Sequence, residues 1–111
     1  MKLSRTSKSR QLEPKEGCIS SAADILGSKW TALILRDLSS GAKRFKDFEA
    51  SLSGISPRTL SQRLDDLEEK GVVSKESFAE VPPRVEYTLT DKGRDLLPIL
   101  KQMAAWGARY F

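Results

Sequence analysis

Residues 55 to 71, Ile-Ser-Pro-Arg-Thr-Leu-Ser-Gln-Arg-Leu-Asp-Asp-Leu-Glu-Glu-Lys-Gly, constrain the chain more than any other stretch, because they encode the start, the stop and two unlike faces of one helix. Ser56 is of the N-cap type that accepts from the free N–H groups of a first turn, and Pro57 suits the next position, where a missing donor costs nothing. Lys70 falls near the negative helix end, and Gly71 can take the left-handed closing conformation. At about 100° per residue Leu60, Leu64 and Leu67 share one side, while Arg58, Thr59, Gln62 and Asp66 point away from it. The spacing predicts a helix over 56–70 with one face committed to a core.

The outward face is not uniform. Its first two turns carry Arg58, Thr59, Ser61, Gln62 and Arg63, donor-rich types that reach phosphates and base edges. Its last two turns carry Asp65, Asp66, Glu68 and Glu69, which a polyanion repels. A helix that enters a DNA groove by its N-terminal half and leaves its tail in solvent is charged in this sense. An ordinary amphipathic helix with a mixed polar face accounts for the same residues, so the surroundings must decide.

At 111 residues the chain is long enough for one modest core and too short for two. Its formal charge is +4, but residues 1–16 hold five cations against Glu13 and Glu16, net +3, leaving +1 for the rest. Local clustering of cations is therefore more informative than overall basicity. No apolar run is long enough for a membrane span and no signal-peptide pattern follows the basic start, which predicts a cytoplasmic protein with no membrane partner. The lone Cys18 excludes an internal disulfide framework, and the absence of histidine excludes His-based acid–base catalysis and the usual zinc sites. No nucleophile–base pairing and no phosphate-cradling loop is present, so neither an enzyme, a metal nor a cofactor is expected.

Along the chain, 1–16 reads as a flexible basic arm, an inert tail or one that grazes DNA phosphates, and 17–111 as a single domain. A short helical pattern runs from Cys18 to Leu26 and meets Gly27; a second, from Ser28 to Leu38, repeats Trp30, Leu33, Ile34 and Leu38 on one face. Phe45, Phe48 and Leu52 suggest a third, with Lys43, Arg44 and Lys46 beside it, and Ser53-Gly54 makes a tight connection into the helix at 56–70. Two helices joined in this way, the second with exposed donors at its start, form a helix-turn-helix.

After Gly71 the period changes to two. Val85, Tyr87 and Leu89 alternate with Arg84, Glu86 and Thr88, and Val72 to Phe78 offers an antiparallel partner across Ala79-Glu80-Val81-Pro82-Pro83. A hairpin directly behind a helix-turn-helix is a wing, with Lys75 and Arg84 as its candidate phosphate or minor-groove contacts, although an exposed Arg beside prolines can equally be filler. Thr90 caps a last long helix that Pro98 is expected to kink. Its stripe of Leu96, Ile99, Leu100, Met103, Trp106, Gly107 and Tyr110 exceeds what so small a core needs, which points to a partner surface, most simply a symmetric dimer.

Laid out in this order, the chain resembles the HxlR-type winged-helix transcription regulators, relatives of the MarR family. The matching pieces are Cys18, Gly27-Ser28-Lys29-Trp30, Arg44-Phe45, Gly54-Ile55-Ser56, Leu60 with Leu64 and Leu67, Glu68 with Gly71, Val81-Pro82-Pro83-Arg84-Val85-Glu86-Tyr87, and Leu89-Thr90 with Gly93. Each is weak alone; their order and spacing over 18–106 are specific. The resemblance implies a mostly helical fold with a small β-hairpin, whose first and last helices form a dimer interface through Ile19, Leu100, Met103, Trp106, Gly107 and Tyr110. It implies a homodimeric regulator, expected here to be a repressor, binding a palindromic operator in double-stranded DNA. The helix 56–70 would lie in the major groove and the wing 79–84 in the minor groove. By position, Arg58, Thr59, Ser61, Gln62 and Arg63 would face the groove, Arg84 would act at the wing, and Arg44 and Lys46 would hold the backbone. In several members of the family a cysteine at the start of the first helix senses oxidants or electrophiles, which makes Cys18 a redox-sensing candidate. Here Cys18-Ile19 replaces the usual Cys-Pro and there is no second cysteine for an intrachain bridge. A thiol in the first turn of a helix is next to the positive end of the dipole, which favours nucleophilic chemistry, whereas a buried cysteine merely fills space. A winged-helix protein-interaction module without nucleic acid is the competing expectation.

Overall fold

The computed structural model describes residues 16–111, so the expected basic arm lies almost wholly outside the described residues. Four helices come first: α1 (Glu16–Leu26), α2 (Lys29–Leu38), α3 (Phe45–Ser51) and α4 (Pro57–Glu69). A hairpin of β1 (Val73–Phe78) and β2 (Arg84–Leu89) follows, then α5 (Asp91–Arg94) and α6 (Leu97–Tyr110). This is a winged helix-turn-helix, mostly helical, with an antiparallel two-stranded wing in the register Val73 to Leu89 through Phe78 to Arg84.

One core holds these elements. Ile34, Leu35 and Leu38 of α2, Phe48 of α3, Leu60, Leu64 and Leu67 of α4, and Tyr87 and Leu89 of β2 are all buried in it. Each leucine buried in this way contributes roughly 1.5–3 kcal/mol, so the three on α4 fix that helix against the body while its other side stays in solvent.

Local chemistry sets the ends of α4. Ser56 Oγ accepts from the Thr59 amide at 3.0 Å, and Pro57 occupies the first turn. At the far end Gly71, at φ 75°, lets its own amide donate to Glu68 O at 3.0 Å and that of Val72 to Leu67 O at 2.9 Å. This paired closure satisfies two terminal carbonyls and turns the buried Val72 directly into the wing.

Two further contacts lock the wing in place. Lys43 and Tyr87 exchange backbone hydrogen bonds, Lys43 N–H to Tyr87 O at 3.0 Å and Tyr87 N–H to Lys43 O at 2.8 Å, which ties β2 to the segment before α3. Thr90 Oγ1 donates towards Gly71 O at 2.6 Å and accepts from Gly93 N–H at 3.1 Å, so one hydroxyl links the end of α4 to the start of α5.

The C-terminal helix differs from expectation. Instead of one long helix kinked at Pro98, a single turn (α5) ends at Arg94 and α6 restarts at Leu97. Pro98 has no amide hydrogen and its ring would strike the carbonyl one turn back, so it sits in the first turn of a new helix, where neither matters.

Candidate nucleic-acid interface

On α4 the buried row of Leu60, Leu64 and Leu67 forces the opposite side outward. Arg58, Ser61 and Gln62 are exposed, and Thr59 is half-buried, its hydroxyl accepting from Ser56 Oγ at 2.9 Å within the cap. Arg63 behaves differently: its Nη1 lies 3.3 Å from Asp66 Oδ2 on the same helix, so its charge is partly spent on its own carboxylate. The protruding edge is therefore Arg58, Ser61 and Gln62, with Asp65 marking where the acidic half begins.

Beside that edge the start of α3 adds cations. The Arg44 amide donates to Asp47 Oδ2 at 2.8 Å, a capping arrangement that fixes the helix start while leaving the guanidinium without an ion pair among the described residues. Lys46 is exposed and equally unpaired among them. Arg44 and Lys46 line a depression of about 310 Å³ whose other wall is Pro83 and Val85 of the wing. Thus α3 and the wing flank a shared concavity.

The wing is less cationic than its sequence suggests. Arg84 is 31% exposed at its side chain, with Nη1 3.0 Å from Glu80 and Nε 3.4 Å from Glu86. Its guanidinium also lies over the Phe78 ring, 4.1 Å from the centroid. Arg84 therefore braces the hairpin rather than standing free, and an approaching phosphate must compete with two carboxylates. Lys75 on β1 is exposed. It faces Tyr87, whose phenol is held above its ordinary value of 10.0, chiefly by burial; Lys75 opposes the shift and Asp65 and Glu68 add to it.

The expected partner surface divides in two. Ile99, Met103, Trp106 and Tyr110 form one exposed stripe on α6, with Phe111 exposed beyond it and Ile19 exposed on α1. Trp106 touches Tyr110 and Phe111 at ring-centroid distances of 5.3 and 5.7 Å. Leu100 does not belong to that stripe: it is half-buried against the core. Together with Leu97 and Ala104 it faces a groove towards α2. Gly107 is half-buried with open space where a Cβ would stand. Cys18, in the first turn of α1, is exposed. No helix among the described residues is long and apolar enough to cross a membrane, and no cluster there of three metal-ligating side chains could hold a metal.

Sequence reasoning missed the Lys43–Tyr87 bridge and the Arg84 brace. The bridge has no side-chain signature; the carboxylates on both sides of Arg84 were a visible signal for the brace.

Comparison with known proteins gives a consistent answer. Residues 25–111 match the family model described as HxlR-like helix-turn-helix. YvaP of Bacillus subtilis (strain 168), named an HTH-type transcriptional regulator, is 46% identical over 89 residues, covering 80% of this chain and 82% of YvaP. Among solved structures, the redox regulator HypR in its oxidised form superposes with a TM-score of 0.80 at 37% identity, covering 85% of this chain and 97% of that one. The reduced form of the transcriptional regulator YodB from B. subtilis does so with 0.76 at 35%, covering 90% and 95%.

Proposed function

Because the chain belongs to the HxlR-like helix-turn-helix family of transcriptional regulators, we propose that it binds operator DNA as a homodimer, placing α4 in the major groove. One observation carries the proposal: the N-terminal half of α4 presents Arg58, Ser61 and Gln62 beyond a fully buried leucine row, flanked by Arg44 and Lys46 at the start of α3, which have no ion pair among the described residues. Arg58 and Gln62 have the donor geometry for guanine and adenine edges, Ser61 serves either, and Arg44 and Lys46 meet phosphates. Thr59 stabilises the helix start and Arg63 contributes residual charge near it. Lys75 and Arg84 approach the flanking minor groove, Arg84 by exchanging its carboxylate partners for phosphate. Two such helices related by a two-fold axis read half-sites about 34 Å apart, and occupancy of the operator represses transcription.

Selection from a random duplex library tests this reading. It predicts enrichment of a palindrome with half-sites about one helical turn apart, and binding that weakens steeply with salt. No enrichment, or binding indifferent to salt, would instead favour a protein-interaction module.

Cys18 supports a second, regulatory reading, because its thiol is exposed and the similar structures include the redox regulator HypR in its oxidised form and YodB after diamide treatment. An oxidant such as diamide takes two electrons and two protons from the Cys18 thiols of two protomers, leaving an intersubunit disulfide and reduced diamide. Diamide should then change operator affinity of the wild type and not of Cys18→Ser; identical responses would remove Cys18 from the account.

A further inference from the structure

The wing carries the wrong sign for a surface that meets a polyanion. Between Val73 and Leu89 two cations, Lys75 and Arg84, stand against Glu76, Glu80 and Glu86, a net charge of −1. Alternation along the strands divides them further: Arg84 and Glu86 share the outer face with Phe78 and Glu76, whereas Lys75 lies opposite Tyr87 on the other. The hairpin tip offsets nothing, because Val81 is fully exposed and Pro82 and Pro83 have no amide hydrogen to donate. Among the described residues Arg84 is therefore the only cation on the outer face of the wing, and it is held from three sides. Glu80 lies 3.0 Å from Nη1, Glu86 lies 3.4 Å from Nε, and the Phe78 ring lies beneath the guanidinium. Nε is buried without a hydrogen bond of its own, so Glu86 holds it by charge alone.

A guanidinium held in this way passes to DNA only where the duplex offers more than its present partners do. A single phosphate on an open groove edge offers one negative charge in a high dielectric, against two carboxylates and a ring already in contact. A narrow minor groove, such as A·T-rich tracts form, concentrates the negative potential and attracts arginine more strongly. Resting on the operator-binding reading of α4, we propose that Glu80 and Glu86 set the DNA specificity of the wing. They withhold Arg84 from ordinary duplex and release it to a narrow, A·T-rich minor groove beside each half-site. The wing thereby reads groove shape, and the two carboxylates fix the threshold at which it engages. Neutralising them frees Arg84 for any flank, so discrimination is lost through a gain at the weaker sites.

The test places the half-site motif enriched from the random duplex library in two duplexes that differ only in their flanks, one A-tract and one G·C-rich. Fluorescence anisotropy with the full chain is expected to show a preference of roughly three- to tenfold for the A-tract flanks, the worth of two partly exposed ion pairs. Glu80→Gln combined with Glu86→Gln keeps side-chain shape and should bring the two duplexes to within about twofold, chiefly by tighter binding of the G·C-flanked one. Glu80→Gln alone, at the more exposed carboxylate, should give part of that change. Glu76→Gln removes the same charge from the same face without touching Arg84, and should keep the preference. Arg84→Ala should erase the preference by loss on the A-tract duplex, and adding the Glu80 and Glu86 substitutions to it should not alter the ratio further. A wild type indifferent to its flanks, an unchanged ratio in both glutamate variants, or an equal change on Glu76→Gln would overturn the proposal while leaving α4 as the reader. Failure to enrich any motif would remove the operator-binding reading and this proposal with it.

Discussion

Replacing Trp106 by alanine should dissociate the proposed dimer without unfolding the protomer. The indole is 60% exposed and lies beside Tyr110, itself 59% exposed, and Phe111, 97% exposed, so it supplies little to its own core and much to whatever covers it. An aromatic side chain of this class buries about 150–250 Å² when fully enclosed, which leaves on the order of 100–150 Å² per protomer available to a partner. At about 25 cal/mol per Å², and with roughly half of that area enclosed and counted twice by symmetry, the two truncations together cost about 2–4 kcal/mol of association. The dimer dissociation constant should rise by roughly 30- to 1,000-fold. Sedimentation equilibrium across a protein dilution series measures this directly, with thermal unfolding in parallel to establish that the protomer remains folded. A variant that associates as tightly as the wild type would refute the assignment of this stripe, as would a wild type that is monomeric at every concentration.

Three other perturbations test the links between sequence, packing and the site. Ser56→Ala removes the acceptor for the Thr59 amide and should cost about 1 kcal/mol in urea denaturation, fraying the turn that carries Arg58; unchanged stability would mean the cap contributes nothing. Gly93→Ala places a methyl group against the Val72 carbonyl and Leu89, both part of the wing junction, and should lower stability by about 1–3 kcal/mol; a neutral result would show that the junction yields easily. Tyr87 has its pKa raised on folding, so the neutral phenol is favoured in the native state and the unfolded state loses its proton first. The stabilisation is fully present below pH 10.0 and is lost as pH rises from there through the higher native value, and Tyr87→Phe should remove that alkaline decline in a pH series of denaturation midpoints.

What the sequence disclosed was whatever has a period or a cap. The leucine row of α4, Ser56 and Gly71 were readable because each position is decided by its neighbours along the chain. The alternation of Val85, Tyr87 and Leu89 likewise marked the strand that packs inward. The α6 stripe shows the limit of a period: its seven apolar positions share one arc, yet Leu100 at the edge of that arc is half-buried against the core while Ile99 is exposed, a division that spacing alone does not display. Contacts made by side chains of mixed character were hardest. Arg84 looked like a free cation, yet the hairpin register brings Phe78 opposite it and Glu80 and Glu86 within reach, an outcome fixed by pairing across strands rather than by spacing along one. Arg63 likewise stands among the groove-facing donors by position, yet it pairs with Asp66 one turn further along the same helix.

The central claim is that α4 reads bases while α3 holds phosphates, and fluorescence anisotropy on paired duplexes separates those roles. Titrations of the selected operator and a scrambled duplex are run with the wild type, Gln62→Ala and Arg44→Ala. The account predicts that Gln62→Ala loses about 1–3 kcal/mol on the operator and almost nothing on the scrambled duplex, whereas Arg44→Ala weakens both alike and flattens the salt dependence. Equal losses on the two duplexes for both variants would contradict it.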